Sequence, residues 1–289
     1  MYLLMKTKFT SVLFLFLFVS SVAFAQTSNS SFDFYKVGRV IKTDKNMKIN
    51  AKISGKVSDM KISGLMDMSE QKLYDITVLE MNDIAPTKLE VYVNEDTEKQ
   101  EMKMVVAGEN SNENNVKESP LKGKTILCNS VNGAWEKTIQ GVENPTDDQL
   151  EALNKFEIPL DNAIDFSKIP KGVKPGFVWN IGKDESAELF GSSEDNPFKD
   201  GNMKLKLKKL IETKDERGYL WDVSLTTDGK KTDNSDMNIA LTLNGSLLMT
   251  SKNFNMDLKG PMTIVTKQGD MSMTMKGPAA LNWKKYYVK

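Results

Sequence analysis

Three methionines on alternate residues, Met271, Met273 and Met275, have the type and spacing that most suggest a binding function. Alternate side chains of a β-strand point to the same face, so the three thioethers would form one row. Thioether sulfur can bind Cu(I), and methionine also packs adaptably against apolar ligands or core side chains. The pattern therefore allows three interpretations, which are a soft-metal site, the lining of an apolar cavity, and ordinary core.

A short internal echo favours the two apolar interpretations over the metal site. The segment NMDLKGPM at 255–262 resembles SMTMKGPA at 272–279, and Leu258 takes the place of Met275. A site that required sulfur would not accept this exchange, so Cu(I) handling is a distant alternative. The echo also predicts two similar units of a meander, each a strand followed by a turn. The residues that we expect to line the apolar face are Met256, Leu258, Met271, Met273, Met275 and Trp179.

The chain lacks the side chains of several common mechanisms, since it has no histidine and one cysteine, Cys128. Ser-His-Asp and Cys-His catalysis, histidine-ligated zinc and iron–sulfur clusters are therefore excluded. No G-x-G-x-x-G, Walker A or G-x-S-x-G motif is present. We predict a non-enzymatic protein with no catalytic residues, no metal site and no cofactor. For Cys128 we expect a small buried hydrophobe on a strand, with a reactive thiol as the alternative.

Residues 1–25 have the features of a secretory signal peptide. Lys6 and Lys8 precede the apolar run VLFLFLFV, and the A-F-A triplet at 23–25 fits the cleavage pattern. The apolar run is too short to span a bilayer. A polar leader follows at 26–31. We expect an exported protein, periplasmic or extracellular, with no integral membrane span after signal cleavage.

The charge of the chain is balanced, with 39 lysines and arginines against 39 aspartates and glutamates. A protein that grips nucleic acid by its phosphates carries a basic surface. We therefore expect no nucleic-acid partner, and an apolar small molecule or lipid is the partner that the sequence suggests.

Alternation of apolar and polar residues is the prevailing pattern along the chain. In NMKINAKIS, Met47, Ile49, Ala51 and Ile53 share one phase, and lysine and asparagine occupy the other. A period of two is typical of strands with one buried and one wet side. We predict a mainly β fold of antiparallel meander sheets, in two half-barrel-like or sandwich-like halves, with one short central helix.

Glycine-containing dipeptides mark the expected turns. Asn132-Gly133 lies between two strand-like runs and is the strongest hairpin signal, and Ser54-Gly55 and Ser63-Gly64 are two further predicted turns. The polar stretch at 107–124 has no periodicity and predicts a long loop.

The predicted helix begins at Thr146, which forms a T-x-x-Q capping box with Gln149. Leu150, Leu153 and Phe156 give the helix one apolar side. The helix divides the chain after the leader into an N-terminal β half (32–145), a helical connector (146–175) and a C-terminal β half (176–289).

Two segments, SPLKGKTILCNSVNGAWEKTIQG and IPKGVKPGFVWNI, together resemble an uncharacterised family of secreted Gram-negative envelope proteins of the Bacteroidota type. The motifs are Pro-Leu-x-Gly at 120–123, a hairpin at 132–141 and a turn ending in tryptophan at 170–179, and Pro175 departs from the family's pattern. The resemblance implies an extracytoplasmic β-rich protein with no assigned activity. A looser similarity, at the level of fold, is to periplasmic lipoprotein carriers, whose half-barrels have a hydrophobic concave face.

Taken together, these patterns predict a non-enzymatic envelope protein that binds an apolar ligand on a Met/Leu/Ile-lined face. A lipid or lipoprotein carrier of the envelope is the alternative function. A structure with a predominantly helical body, or with sulfurs that converge on an ion, would overturn this interpretation.

Overall fold

The computed structural model describes residues 35–82, 85–156, 158, 169–170, 172–181, 201–214, 216–231, 236–268 and 270–288. The predicted signal peptide (1–25) and leader (26–31) lie outside the described residues, as does much of the predicted connector beyond residue 158.

The described residues form twelve strands and one short helix, which confirms the predicted mainly β class. The helix is α1 (Asp147–Lys155). The strands are β1 (Val40–Val57), β2 (Met60–Met81), β3 (Pro86–Val106), β4 (Glu109–Glu118), β5 (Thr125–Val131), β6 (Ala134–Ile139), β7 (Val178–Ile181), β8 (Asn202–Glu212), β9 (Arg217–Lys231), β10 (Asp236–Thr250), β11 (Asn253–Gln268) and β12 (Met271–Val288).

All twelve strands belong to one antiparallel sheet rather than to two separate sheets. The order is β6-β5-β3-β2-β1-β12-β11-β10-β9-β8-β7, and β4 pairs with β3 beside this path. The two halves of the chain meet where β1 pairs with β12, from Val40 opposite Val288 to Val57 opposite Met271. Among the described strands, β6 and β7 are the ends of the order, so the sheet is not closed.

One face of the sheet, here called the inner face, carries the buried residues. On β1, Ile49, Ala51 and Ile53 are buried, whereas Lys48 and Lys52 on the opposite side are exposed. The alternation of apolar and polar residues in the sequence therefore matches the alternation of buried and exposed side chains, because successive strand residues point to opposite faces. The inner face is apolar along most strands, and the outer face carries lysine, asparagine and aspartate.

Two apolar clusters occupy the inner face. The main cluster includes buried residues of β1–β3 and β7–β12, among them Ile53, Met66, Trp221, Leu258 and Met275. The helix cluster consists of Ile41, Tyr74, Ile76, Val78, Leu89, Val91, Val93, Leu121, Ile126, Cys128, Ile139, Leu153 and Phe156. Because the first cluster takes residues from strands on both sides of β1 and β12, the two halves share one core.

Helix α1 covers the helix cluster with Leu153 and Phe156. The predicted capping box is present, since the Gln149 backbone N–H donates to the Thr146 hydroxyl and the Thr146 N–H donates to the Gln149 side chain. The Lys137 ammonium donates to the carbonyl oxygen of Phe156 at 2.7 Å, at the end of the helix where carbonyls lack partners. The Tyr74 and Phe156 rings meet edge to face at 5.7 Å.

The hairpin prediction at Asn132-Gly133 is confirmed. Both residues have positive φ, 51° and 82°, and they connect β5 to β6. The predicted loop at 107–124 is wrong over most of its length, because Glu109–Glu118 is β4 and pairs with β3. The turn before it is Ala107-Gly108, again with two positive φ angles. Since β4 buries neither face, its sequence shows no apolar period.

The predicted turns at Ser54-Gly55 and Ser63-Gly64 are also wrong, because both dipeptides lie inside long strands. A Cβ on Gly55 would overlap the Ser272 carbonyl oxygen of the neighbouring strand, and one on Gly64 would overlap the Lys103 carbonyl oxygen. These glycines therefore allow a close approach of two backbones within the sheet. The turns expected after the echoed segments are absent for the same reason, since Gly260-Pro261 and Gly277-Pro278 lie within β11 and β12.

Candidate functional site

The structure places the predicted ligand-lining residues on the inner face. Met256, Leu258, Met273 and Met275 belong to the main cluster and are 3%, 0%, 2% and 0% exposed. Trp179, on β7, is half-buried and packs against the same cluster. Met271, the first residue of β12, is half-buried. The apolar side chains that the sequence singles out therefore lie on one face of the sheet.

These residues are spread along the face and do not converge on a point. Met275 lies opposite Ile264, whereas Met256 lies opposite Trp283, eight positions further along β12. At about 3.4 Å per residue, these two positions are about 27 Å apart. The partners of Met271, Met273 and Met275 across both neighbouring strands are Gln268, Thr266, Ile264, Val57, Gly55 and Ile53, which supply no further sulfur.

A row of charged residues interrupts the apolar inner face where the two clusters meet. On β2 the buried phase runs through Met66 and Met68, continues with Glu70 and Lys72, and returns to apolar residues at Tyr74. All five residues share one parity, so the two charges point inward with the methionines. Glu70 is 4% exposed despite its charge.

The neighbouring strands add charged and aromatic residues to this row, which we call the polar belt. Glu98 and Asp96 of β3 lie opposite Glu70 and Lys72, and Lys45 of β1 lies opposite Lys72 on the other side. On β12, Trp283 lies opposite Lys45. The polar belt comprises Lys45, Glu70, Lys72, Asp96, Glu98, Trp283 and Lys285.

Solvent reaches several residues of the inner face at the polar belt. Lys45 and Lys72 are half-buried, as are Trp283 and Leu281 on β12. On β1, the same face is closed on both sides of the belt, since Ile41 and Ile49 are 0% and 5% exposed. Between these two residues, the inner face of β1 is therefore partly open to solvent at Lys45 and Met47.

The acidic end of the belt combines close charges with burial. The Lys72 ammonium forms an ion pair with the Glu70 carboxylate at 2.5 Å. Burial raises the pKa of Asp96, against the opposing effect of the Lys72 charge. Burial also raises the pKa of Glu98, and the charge of Glu70 adds to the rise. Three carboxyl groups thus lie around Lys72. Two of them, Asp96 and Glu98, lose their proton less readily than an ordinary carboxyl group does.

The basic end of the belt is built around the Trp283 ring. The Lys285 and Lys45 ammonium groups lie 5.2 Å and 5.9 Å from the ring centroid, distances at which a cation is attracted by the π face. The indole N–H of Trp283 donates to the Thr43 hydroxyl at 3.4 Å. Phe254 of β11 meets the ring edge to face at 4.9 Å. Lys285 is 4% exposed, so this positive charge is held inside the protein.

From Trp283, one cross-strand row leads into the main cluster. Trp283 lies opposite Met256, Met256 opposite Leu247, and Leu247 opposite Trp221 on β9. The row is apolar from Trp221 to Met256 and charged from Lys45 onward. Three strand spacings separate Trp221 from Trp283, about 14 Å in a sheet. The row is therefore amphipathic, with an apolar end at Trp221 and a charged end at Lys45.

Sequence reasoning missed the polar belt. Its signal is present in MDMSEQKLYDI at 66–76, where Glu70 and Lys72 take positions in the apolar phase of an alternating strand. A charged residue in that phase is either inward-facing or evidence of a shift in register. Here the phase is unbroken on β2, so the charges point inward.

Cys128 lies on β5 with 0% exposure, as expected for a small buried hydrophobe. Burial raises the pKa of its thiol to about 12, so it is held in the neutral form. Within the described ranges, no group of three or more His, Cys, Asp or Glu side chains is arranged so that it could hold a metal ion. No helix in these ranges is both long and apolar enough to cross a bilayer.

Comparisons with known proteins identify no family for this chain. No family model matches the sequence, and no curated protein matches it. The resemblance at residues 119–180 therefore has no support beyond its own motifs.

Two solved structures show limited similarity. An outer membrane channel from Pseudomonas putida F1 is 10% identical, with 91% of this chain and 100% of the channel covered and a TM-score of 0.23. A beta-barrel-like protein of unknown function from Brucella abortus is 12% identical, with 83% and 96% covered and a TM-score of 0.17. Both TM-scores are well below 0.5.

Proposed function

We propose that the protein is a non-enzymatic binding protein of the cell envelope that holds an apolar molecule against the inner face of its sheet. The observation that carries the proposal is the half-buried stretch of inner face at the polar belt, directly beside the main cluster. Small-molecule sites are usually lined by apolar side chains with a few polar groups among them.

The composition of the main cluster supports this function, because it is rich in methionine. Met66 and Met102 lie opposite each other on β2 and β3, with Met68 and Met104 on the same face. Methionine is unbranched and flexible, so methionine-lined surfaces can repack around a ligand. A core that is filled without ligand can in this way make room for one.

The buried indole of Trp221 is a second supporting feature. Its ring is 0% exposed within the main cluster, and its Nε1 has no hydrogen-bond partner among the described residues. A buried donor without an acceptor costs about 1–3 kcal/mol. A ligand that carries an oxygen near this ring would accept the hydrogen bond.

The test is calorimetric titration of the purified protein with decanol. We expect saturable binding, and a loss of at least tenfold in affinity in Leu281→Trp, which fills the opening beside the belt. The matched control is Leu65→Trp, on the exposed outer face of β2, which should bind like the wild type. Absence of decanol binding to the wild type, together with native mass spectra free of any co-purifying molecule, would refute the proposal.

A carrier of lipids or lipoproteins is the second candidate function. It is favoured by the unclosed sheet, whose order ends at β6 and β7 in the described part of the chain. Movement of β6 and β7 away from the residues that they contact would widen access to the main cluster, and it would leave the pairing of β1 with β12 intact. The test is the transfer of a fluorescent phospholipid between vesicle populations, which a carrier accelerates in proportion to its concentration and a simple binding protein does not.

A further inference from the structure

We propose that the outer face of the sheet docks on the surface of a phospholipid membrane that carries negative head groups. The contact is made by six exposed lysines of β1, β2, β11 and β12, here called the lysine patch, which are Lys48, Lys52, Lys56, Lys61, Lys267 and Lys276. Their side chains point away from the inner face, so the inference does not depend on a ligand bound there.

The first support is the pairing of lysine with lysine across the sheet. Lys52 of β1 lies directly opposite Lys276 of β12, and Lys56 of β1 lies directly opposite Lys61 of β2. Like charges at directly opposite positions destabilise a sheet, whereas opposite charges there stabilise it. Both pairs are exposed, so an anionic surface that approaches this face offsets their repulsion.

Further lysines continue the patch along and across the strands. On β1 the outer-face residues from Lys48 to Lys56 read Lys, Asn, Lys, Ser, Lys, so a lysine recurs at every fourth residue, about 14 Å apart. Lys267 of β11 lies at the level of Lys56, since both are opposite Ser272 of β12. The patch therefore extends over neighbouring strands, in the order β2-β1-β12-β11.

The protein itself does not neutralise the charge of the lysine patch. Within the described part of the chain, none of the six ammonium groups forms an ion pair. Two acidic residues share this part of the face, and both have other partners, since Asp67 accepts a hydrogen bond from Asn50 and Glu101 pairs with Lys103 at 2.7 Å. The turns beyond the patch add two acidic residues, Asp59 and Asp270. The lysines outnumber these acidic residues, so the patch is positively charged.

The rest of the outer face shows that this concentration of charge is local. The chain as a whole has equal numbers of basic and acidic residues. Towards the other end of β1, Lys42 pairs with Asp75 at 3.6 Å, and Lys284 of β12 lies opposite Asp44. Lysines at that end face acidic residues, whereas lysines of the patch face one another or neutral residues.

An exposed apolar residue beside the lysine patch indicates that the partner is a membrane. Leu65 of β2 is 51% exposed, and it lies opposite Lys52 on one side and Lys103 on the other. Val105 of β3 is also exposed and lies opposite Ser63, two residues from Leu65. At a membrane surface lysine keeps its charge among the head groups, while an apolar side chain enters the boundary of the acyl chains.

The composition of the patch disfavours nucleic acid, the other large polyanion. Proteins that hold single strands combine basic residues with aromatic side chains on which the bases stack. The outer-face positions between the lysines of β1 and β12 hold no aromatic residue, and they include Asn50, Ser54, Thr274 and Pro278. A bilayer needs no stacking partner, since its negative head groups attract lysine by charge.

The experiment measures the partition of the purified protein onto vesicles by sedimentation. Vesicles of phosphatidylcholine with 30% phosphatidylglycerol are compared with vesicles of phosphatidylcholine alone at 50 mM NaCl. We expect at least tenfold tighter partition onto the anionic vesicles, and a loss of at least fivefold on them at 500 mM NaCl, because salt screens exposed charges. Equal partition onto both kinds of vesicle, or no partition onto either, would overturn the inference and leave the proposed function standing.

Lys52→Gln with Lys276→Gln removes two directly opposed charges of the patch. We expect this double variant to keep the circular dichroism spectrum of the wild type and to lose at least fivefold in partition onto the anionic vesicles. The matched control is Lys214→Gln with Lys252→Gln, which removes two exposed lysines in the turns before β9 and β11 and should lose less than twofold. An equal loss in both double variants, or no loss in the first, would overturn the lysine patch as the docking surface.

Leu65→Ser and a competing polyanion distinguish a membrane from a soluble partner. We expect Leu65→Ser to lower partition by at least threefold, and a thirty-nucleotide single strand at equal phosphate concentration to displace less than half of the bound protein. Unchanged partition of Leu65→Ser, or displacement of more than half, would identify a site for soluble polyanions and overturn the membrane as the partner. Decanol titration of the same variants should match the wild type, because their changes lie on the outer face.

Discussion

Pro261 and Pro278 lie directly opposite each other in the antiparallel pairing of β11 with β12. Proline has no N–H to donate, so each interrupts the ladder to the strand on its other side. The β10–β11 register stops at Met262 and resumes at Lys259, and the β1–β12 register stops at Ala279 and resumes at Lys276. Two neighbouring ladders therefore break at the same level of the sheet.

The glycine before each proline accommodates this break, and it yields the first prediction. A methyl group on Gly277 would overlap the Asn50 carbonyl oxygen and lie 2.8 Å from the Ala51 Cα. We expect Gly277→Ala to lower the free energy of unfolding by about 2–3 kcal/mol, as overpacking commonly does. Urea unfolding followed by circular dichroism measures the change.

The contrasting variant is Pro278→Ala, which removes the ring and adds no atom toward Asn50. We expect its stability to stay within about 1 kcal/mol of the wild type. If Gly277→Ala is as stable as the wild type, the two backbones do not approach as closely at this position as the structure shows.

The second prediction concerns the ion pair of Glu70 and Lys72. Loss of Lys72 alone leaves a buried carboxylate beside Asp96 and Glu98, so we expect Lys72→Met to destabilise the protein by about 3–5 kcal/mol. The double variant with Glu70→Gln should recover most of this loss. A double-mutant cycle in urea gives the coupling free energy, and additive effects of the two changes would show that the pair is not coupled.

The third prediction is a pH dependence that arises from Glu98. Burial raises the pKa of this carboxyl above its ordinary value of 4.5, so the folded state binds the proton more tightly than the unfolded state. Stability therefore falls as pH rises from 4.5 through the raised pKa. We expect Glu98→Gln to be more stable than the wild type at pH 7, and the difference to vanish below pH 4.5.

The measurement for Glu98 is the difference in unfolding free energy between variant and wild type across this pH range. Glu136→Gln, at an exposed position of β6, is the control and should show no such crossover. A difference for Glu98→Gln that is constant with pH would contradict the expected shift of the pKa.

The fourth prediction concerns the thiol of Cys128, which is buried in the helix cluster. Because burial raises its pKa to about 12, the thiolate is nearly absent at pH 8. We expect no reaction with Ellman's reagent in the folded protein and release of one equivalent after unfolding in guanidinium. Rapid labelling of the folded protein would show that β5 and α1 expose this position.

The fifth prediction uses the two hairpin turns with positive φ. Asn132 and Ala107 occupy the same position of their turns, at φ 51° and 52°, but alanine tolerates this conformation poorly. We expect Ala107→Asn to stabilise the protein by about 0.5–1 kcal/mol and Asn132→Ala to destabilise it by a similar amount. Thermal unfolding of both variants gives the comparison, and a loss of stability in Ala107→Asn would contradict it.

The strands and the helix could be predicted from sequence because their signals are local. The alternation at Ile49, Ala51 and Ile53 gives the buried face directly, and the Thr146–Gln149 box marks the start of the helix. Strand β4 could not be found in this way, because neither of its faces is buried and its partner sets its conformation. The turn predictions at Gly55 and Gly64 are wrong because glycine is favoured both in a turn and where two strands approach closely.

The candidate site could be predicted only in its apolar part. Methionines at a spacing of two indicated the inner face, but the polar belt depends on which strands are neighbours. Lys45 and Trp283 are far apart in sequence and meet only because β1 pairs with β12. Pairing between the ends of a chain has no local signal, so the juxtaposition of these charges with the tryptophan required the structure.

The position of β12 between β1 and β11 has a consequence for how this protein reaches its final state. Among the described strands, β12 comes last in the chain and is a central member of the sheet, so the edge of β1 that pairs with it stays unpaired until the strands between them have been made. Contacts of such large sequence separation form slowly, and the waiting edge is a target for other chains. Until β12 pairs with it, this edge of β1 is therefore exposed to edge-to-edge association with other chains.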